Sequence, residues 1–363
     1  MQEYVIAENE KGQRLDKYVR RILPQAPSSF VYKMMRKKNI TLNGHKAEGK
    51  EVTAQGDCVK FFLSDETFQK MGGVLNEQGL GTLQKEKKNG LGPGEKSASG
   101  RLLEAEKAYR LLAGRYPSLQ LVYEDENIAA AYKPSGILSQ KAEPVDVSLN
   151  EWFLGVLAAR GDVTESSLRR FVPSVQNRLD RNTEGLVLLA KTLPGSHLLT
   201  MLQREHRLKK FYRMIVLGRV ERAGVMEGYL VKDSSSNTVR VYDRKQEGAV
   251  YTKTEYRPVS FGKLSMRTGS EDVTLVEAQL ITGKTHQLRA HFARMGHPIL
   301  GDPKYGSREA NESARRLGVR TQLLLCQRVE FPELLPEFPS LSGMVISCRE
   351  PSVYGKVMHM PGK

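Results

Sequence analysis

The spacing of apolar positions divides the chain into three stretches. Over residues 14–22, Leu15, Val19 and Ile22 recur at helical intervals, and a second helix is predicted over 28–38. Ser28 or Ser29 stands where a hydroxyl can accept an orphan N–H of that helix. Lys33, Arg36, Lys37 and Lys38 crowd its far end, where cations complement the helix dipole. Ile40-Thr41-Leu42-Asn43-Gly44 reads as a strand entering an Asn-Gly turn, and 57–63 as another strand. Residues 1–65 are therefore expected to form a small α+β domain.

Periodicity then lapses. Residues 71–100 are rich in Gly, Asn, Ser, Lys and Glu, the composition of a flexible linker. Leu102, Leu103, Ala105 and Leu112 restore a helical pattern over 101–112, at the end of a connecting segment spanning 66–118. From 119 to 363, apolar or alternating runs predict strands at 121–123, 128–132, 186–190, 212–217, 252–256 and 273–281. Helices are predicted between them at 149–159, 197–204 and 286–295. Strands and helices do not alternate regularly, so the fold class is α+β rather than a doubly wound parallel sheet. No internal repeat is seen.

Charge narrows the partner. Lys and Arg number 56 against 41 Asp and Glu, a formal charge of +15 with a pI near 9.6, which favours a polyanion such as nucleic acid. No apolar run approaches the roughly 18 residues of a membrane span. The N-terminus carries Glu3, Glu8 and Glu10 and lacks the basic start and apolar stretch of a signal peptide. A cytoplasmic protein with no membrane partner is expected. Cys58, Cys326 and Cys348 are too widely separated for a zinc site or a disulfide framework.

The chemistry concentrates in Asn177-Arg178-Leu179-Asp180-Arg181-Asn182-Thr183-Glu184-Gly185, a charged loop abutting the apolar strand 186–190. Asp180 would sit on a rigid element at a cleft edge, flanked by arginines. Read alone, such a carboxylate also suits a structural ion pair. Downstream, Thr285 can cap a helix in which Leu288, Phe292 and Met295 form one apolar face, leaving Arg289 off that stripe to meet a carboxylate. His286 and His291 fall about 140° apart on a helix, which excludes a helical zinc pair.

Four segments, taken in order, resemble the RluA-type RNA pseudouridine synthases: Lys133-Pro134-Ser135-Gly136, the Arg178-Leu179-Asp180 loop with its strand, Lys210-Phe211-Tyr212, and Thr282-Gly283-Lys284-Thr285-His286-Gln287-Leu288-Arg289. The closing 296–306 segment also resembles the family. Its glycines and prolines imply turns with structural roles. Arg14-Leu15-Asp16-Lys17 and the 40–44 strand resemble the RNA-binding fold of a small-subunit ribosomal protein and tyrosyl-tRNA synthetases.

The resemblance implies a small N-terminal α+β RNA-binding domain and a catalytic domain built on a mixed, mainly antiparallel sheet. It makes Asp180 the catalytic aspartate, Arg289 its partner, and Tyr212 the ring that packs on the target uracil and helps remove its C5 proton. Arg178, Arg181, Thr183, Lys133, Lys284, His286 and Gln287 become substrate-binding candidates, with Arg178 as gap filler. Arg14, Lys17, Lys33, Arg36, Lys37 and Lys38 become RNA contacts. Isomerising uridine keeps every atom, so neither cofactor nor metal is expected. The implied partner is structured RNA, with large-subunit ribosomal RNA favoured over tRNA, for a monomer with no obligatory protein partner.

Lys284 replaces the usual Arg, Asn177 a frequent His, and Glu184 the usual Ser or Thr. Two rivals remain open: a non-catalytic RNA-binding or ribosome-assembly factor on the same fold, and a hydrolase using Asp180 and Glu184 as a carboxylate pair.

Overall fold

The computed structural model describes residues 1–6, 10–73, 75, 97–233, 238–267 and 269–358. The N-terminal unit contains β1 (Gln2–Val5), α1 (Leu15–Ile22), α2 (Ser28–Arg36), β2 (Ile40–Leu42), β3 (His45–Lys46), β4 (Cys58–Phe61) and α3 (Asp65–Lys70). Its four strands run in the order β1-β4-β2-β3, all antiparallel. Leu15, Val19 and Ile22 are buried beneath α1, as their spacing requires.

Two details differ from expectation. The N-cap of α2 is Pro27, without a side-chain cap, because its fixed φ already suits a helix start; Ser28 and Ser29 lie inside the helix. The core also runs past residue 65: fully buried Phe68 packs edge-on against Phe61 and stacks on Tyr4. The Gly-rich linker expected over 71–100 lies largely outside the described residues, at 76–96.

Order resumes at α4 (Ala98–Arg115), longer at both ends than the apolar pattern indicated and capped by Ser97, whose Oγ accepts from Gly100 N. Then come β5 (Gln120–Glu124), β6 (Ile128–Lys133), α5 (Leu149–Arg160) and α6 (Glu165–Arg170). Helices α4 and α5 approach so closely that a Cβ on Gly155 would lie 2.3 Å from the Ala105 carbonyl oxygen, so only glycine fits there.

The remainder is β7 (Ser174–Val175), β8 (Glu184–Ala190), α7 (Leu193–Arg204), β9 (Lys209–Leu217), β10 (Gly224–Asp233), β11 (Thr238–Tyr242), β12 (Val250–Met266), β13 (Gly269–Leu280), α8 (Gln287–Arg294), α9 (Arg308–Arg315), β14 (Leu324–Glu330), β15 (Val345–Ser347) and α10 (Ser352–Met358). The strands from β5 to β15 form one eleven-stranded sheet. Its path is β11-β10-β12-β13-β9-β14-β8-β6-β5, with β15 on β14 and β7 on β8. Every pairing is antiparallel except β14 with β8.

That parallel pair builds the centre. Gly185 has φ 108°, and a Cβ there would stand 2.2 Å from the Cys326 carbonyl oxygen, so this glycine lets β8 leave the Asp180 loop hard against β14. The N-terminal unit docks on α6: Arg170 pairs with the buried Glu10, and Arg21 Nη1 donates to the Arg170 carbonyl at 2.6 Å.

Candidate active site

The loop bearing Asp180 is fastened from several sides. Asn177 Oδ1 accepts Leu188 N at 2.6 Å, Ser139 Oγ bridges the amide and carbonyl of Leu179, and the Asp180 carbonyl accepts Thr183 N at 3.0 Å. Lys133, fully buried at the end of β6, donates from Nζ to the carbonyls of Pro134, Ile137 and Arg181. Burial pushes this lysine down to about 7, against the opposing pull of the Glu184 and Asp180 carboxylates. Three carbonyl acceptors use all three ammonium donors, so Lys133 clamps the loop instead of reaching for substrate.

Arg289 is the hub. Its Nε and Nη2 grip Asp302 at 2.7 and 2.9 Å, while Nη1 donates to Asp180 Oδ2 at 3.2 Å. Asp302 has no exposed surface, and its Oδ1 also accepts the amides of Lys304 and Tyr305. A buried carboxylate needs such full pairing, and the bidentate fork fixes the guanidinium in one orientation. Asp180 keeps about a quarter of its side chain exposed, and its Oδ1 has no partner among the described residues. One oxygen is anchored and the other is free to act.

Tyr212 on β9 lies opposite Ala278 of β13 and Cys326 of β14, on the active-site face. Burial, followed by the Cys326 thiol and the Asp180 charge, pushes its hydroxyl well above 10.

Lys210, two residues earlier on the same strand face, has no ion pair among the described residues and lies against Gly283. Burial lowers its pKa. It went unrecognised in the sequence, where it only opens a strand.

The sequence-derived candidates do not all converge. Arg178 and Arg181 were expected to flank the carboxylate; both are exposed, and Arg181 instead faces Asp146 at 3.9 Å. Thr183 is buried and accepts from Gln322 Nε2 at 3.4 Å. Gln287 is buried, donates to the Lys253 carbonyl and Thr254 Oγ1, and accepts from Thr282 Oγ1 and Lys284 N. Lys284 is exposed.

Thr285 does not cap α8: the N-cap position falls to His286, whose φ of 55° is left-handed and whose side chain caps nothing. Its Nε2 lies 3.7 Å from Asp180 Oδ2.

Glu184 does not share a site with Asp180. It accepts from the Tyr132 hydroxyl at 2.7 Å and lines a cleft of about 1000 Å³ with Ser135, Thr321 and Cys348. Tyr132 precedes the loop-clamping Lys133, so strand alternation puts this cleft on the opposite face of the sheet. The carboxylate pair of a hydrolase is therefore not formed.

On the N-terminal unit, Lys17, Lys33, Arg36, Lys37 and Lys38 are exposed and unpaired among the described residues, whereas Arg14 is engaged by Asp16 at 3.1 Å. Those residues contain no group of three or more His, Cys, Asp or Glu that could hold a metal, and no helix long and apolar enough to cross a membrane.

Residues 127–294 match the family model described as RNA pseudouridylate synthase. The chain is 28% identical over 82% of its length to ribosomal large subunit pseudouridine synthase C of Rickettsia felis, covering 82% of that protein. It is 26% identical over 90% of its length to the protein of that name from Vibrio parahaemolyticus, covering 87% of it. Its fold is similar to human RNA pseudouridylate synthase domain containing 4, with a TM-score of 0.51 and 21% identity, covering 70% of this chain and 95% of that one.

Proposed function

We propose a substrate and a division of labour for this chain, which belongs to the RNA pseudouridine synthase family and is an enzyme of that activity. The substrate is ribosomal RNA of the large subunit, as in the names of its relatives. The observation that carries the reading is the asymmetric carboxylate: Asp180 Oδ2 is tied to a rigid Arg289–Asp302 pair while Oδ1 stays open.

The reaction needs a group at the sugar that assists breakage of the C1′–N1 bond, a surface on which the freed uracil turns, and a route for the C5 proton once C5 has joined C1′. Asp180 supplies the first. The ring of Tyr212 supplies the second. A uridine inside structured RNA hides its glycosidic bond, so the nucleotide must be turned out of the stack at a cost of a few kcal/mol. Exposed Arg178, beside Asp180 and free of ion pairs among the described residues, is suited to fill the gap it leaves. Lys210 and Lys284 offer charges to neighbouring phosphates. The product is an isomer of the substrate: as C1′–N1 gives way to C1′–C5, the C5 proton passes to solvent and N1 takes one up, so no electron or group donor enters the balance.

The unpaired cations of α2, with Lys17, supply a salt-sensitive grip on the RNA backbone. Because Arg170 and Glu10 join the two units, that grip and the cleft approach the RNA as one surface. The enzyme acts as a cytoplasmic monomer in this reading.

Tritium release from large-subunit RNA labelled at uracil C5, with labelled tRNA in parallel, tests the substrate. Release from ribosomal RNA is the expected result. Release from tRNA alone would reassign the substrate, and release from neither would favour an RNA-binding factor.

A further inference from the structure

The hydrogen bonds around His286 form a chain whose direction can be worked out. Tyr305 Oη accepts the amide hydrogen of Val239, on β11, at 2.7 Å, and lies 3.0 Å from His286 Nδ1. A phenol has one hydrogen to give. With Val239 occupying a lone pair, full satisfaction sends that hydrogen to Nδ1, which places the imidazole hydrogen on Nε2. Nε2 faces Asp180 Oδ2 at 3.7 Å, too far for a hydrogen bond, so this donor is unspent in the free enzyme.

The arrangement is costly to hold. His286 adopts φ 55°, a left-handed conformation that non-glycine residues rarely take. Its ring is largely buried and meets Tyr305 edge-on, with centroids 5.7 Å apart. The same Tyr305 ring lies beneath the Arg289 guanidinium at 5.1 Å. One phenol therefore orients both groups that face the catalytic carboxylate. Leu230 and Val239 of the β10–β11 hairpin, with Ala290 of α8, close an apolar cluster around it.

We propose that Tyr305 is a positioning residue, locking His286 in the tautomer whose Nε2–H donates a hydrogen bond to an oxygen of the flipped nucleotide beside Asp180. This rests on the pseudouridine synthase reading. In the resting enzyme, the N–H of Val239 sets the phenol, the phenol sets the imidazole, and the imidazole waits beside Asp180 Oδ2, the oxygen that Arg289 anchors.

The test uses the full-length enzyme and Tyr305→Phe, which keeps the ring and its packing. Long-range proton–nitrogen NMR correlations of the imidazoles, assigned by loss of a signal in His286→Gln, report the neutral tautomer. In wild type, His286 is expected as the single Nε2–H form, and in Tyr305→Phe as a mixture. The kcat of Tyr305→Phe is expected to fall about tenfold or more, with KM for RNA changed less than about twofold.

His286→Gln, whose amide nitrogen reaches toward the Nε2 position, is expected to retain more turnover than His286→Asn. A purely backbone role predicts the reverse, since Asn tolerates the left-handed conformation better. An unchanged tautomer or unchanged kcat in Tyr305→Phe, or better activity in His286→Asn, would overturn the proposal. If no RNA is turned over by any form, the functional reading fails, and the tautomer measurement alone then decides whether Tyr305 locks His286.

Discussion

Two charge clusters lie on opposite faces of the same sheet, and they are built inversely. On the active-site face one arginine, Arg289, serves two carboxylates, Asp180 and Asp302. On the other face one carboxylate, Glu277, is held by three arginines: Arg257 at 2.6 Å, Arg213 at 3.1 Å and Arg328 at 3.4 Å. Both oxygens of Glu277 are occupied and its side chain is 5% exposed, against 27% for Asp180. A cluster rich in acceptors leaves an oxygen for chemistry, whereas one rich in donors closes around its carboxylate. The first is arranged to act and the second to hold β9, β12, β13 and β14 in register.

The sharpest way to break this contrast is Asp302→Asn. It weakens the fork that anchors Arg289, and kcat is expected to fall about a hundredfold, with a stability cost of about 1–3 kcal/mol from the lost charge-assisted hydrogen bonds, Asp180 still balancing the cation. Steady-state turnover and urea melts read the two effects. Normal turnover would show that Arg289 needs no anchor. Glu277→Gln is the counterpart: stability should fall by about 3 kcal/mol while kcat per folded molecule changes less than about twofold. A large loss of kcat there would erase the distinction between the faces.

Acid sharpens it further. Burial alone would raise the Glu277 carboxyl, but the Arg257 hydrogen bond and the three arginine charges hold it below its ordinary value. A carboxyl more acidic in the native than in the unfolded chain contributes stability above the unfolded value, and that contribution is lost as pH falls through and below it. His291 acts in the same direction, because burial and Arg294 push it from 6.5 to about 4, so stability also drains as pH drops below 6.5. Melts of wild type and Glu277→Gln between about pH 5 and pH 3 isolate the first term, with wild type expected to lose stability faster. Parallel slopes would show Glu277 to be unlinked. The smallest effect is expected for Glu184→Gln, which faces Tyr132: turnover within about twofold of wild type, and a larger loss would return Glu184 to the chemistry.

Asp180, Tyr212 and Arg289 were legible because each stands in a short ordered pattern, and helical arithmetic already placed Arg289 off its apolar stripe. Asp302 and Tyr305 were not. They sit in a Gly- and Pro-rich segment whose turns explain themselves, and nothing in local spacing says that its aspartate is fully buried against an arginine 13 residues away. Arg181 misled for the converse reason: immediate neighbours in an extended loop point apart, and its side chain turns to Asp146 instead of Asp180.

Helices α6, α9 and α10 were missed because each is only six to eight residues long, with few apolar positions to repeat. Most of the 17-residue β12 escaped notice because its long exposed arm alternates weakly. Strand β8, buried almost throughout, and the buried stretch 273–278 of β13 were read directly from their apolar runs.

The central claim is that the open oxygen of Asp180 performs the reaction, and the most direct measurement compares Asp180→Asn with wild type. Tritium release from C5-labelled large-subunit RNA should drop by about a thousandfold or more in the variant, while its RNA affinity and melting temperature stay close to wild type. Release at a wild-type rate from a folded, RNA-bound Asp180→Asn enzyme would contradict it.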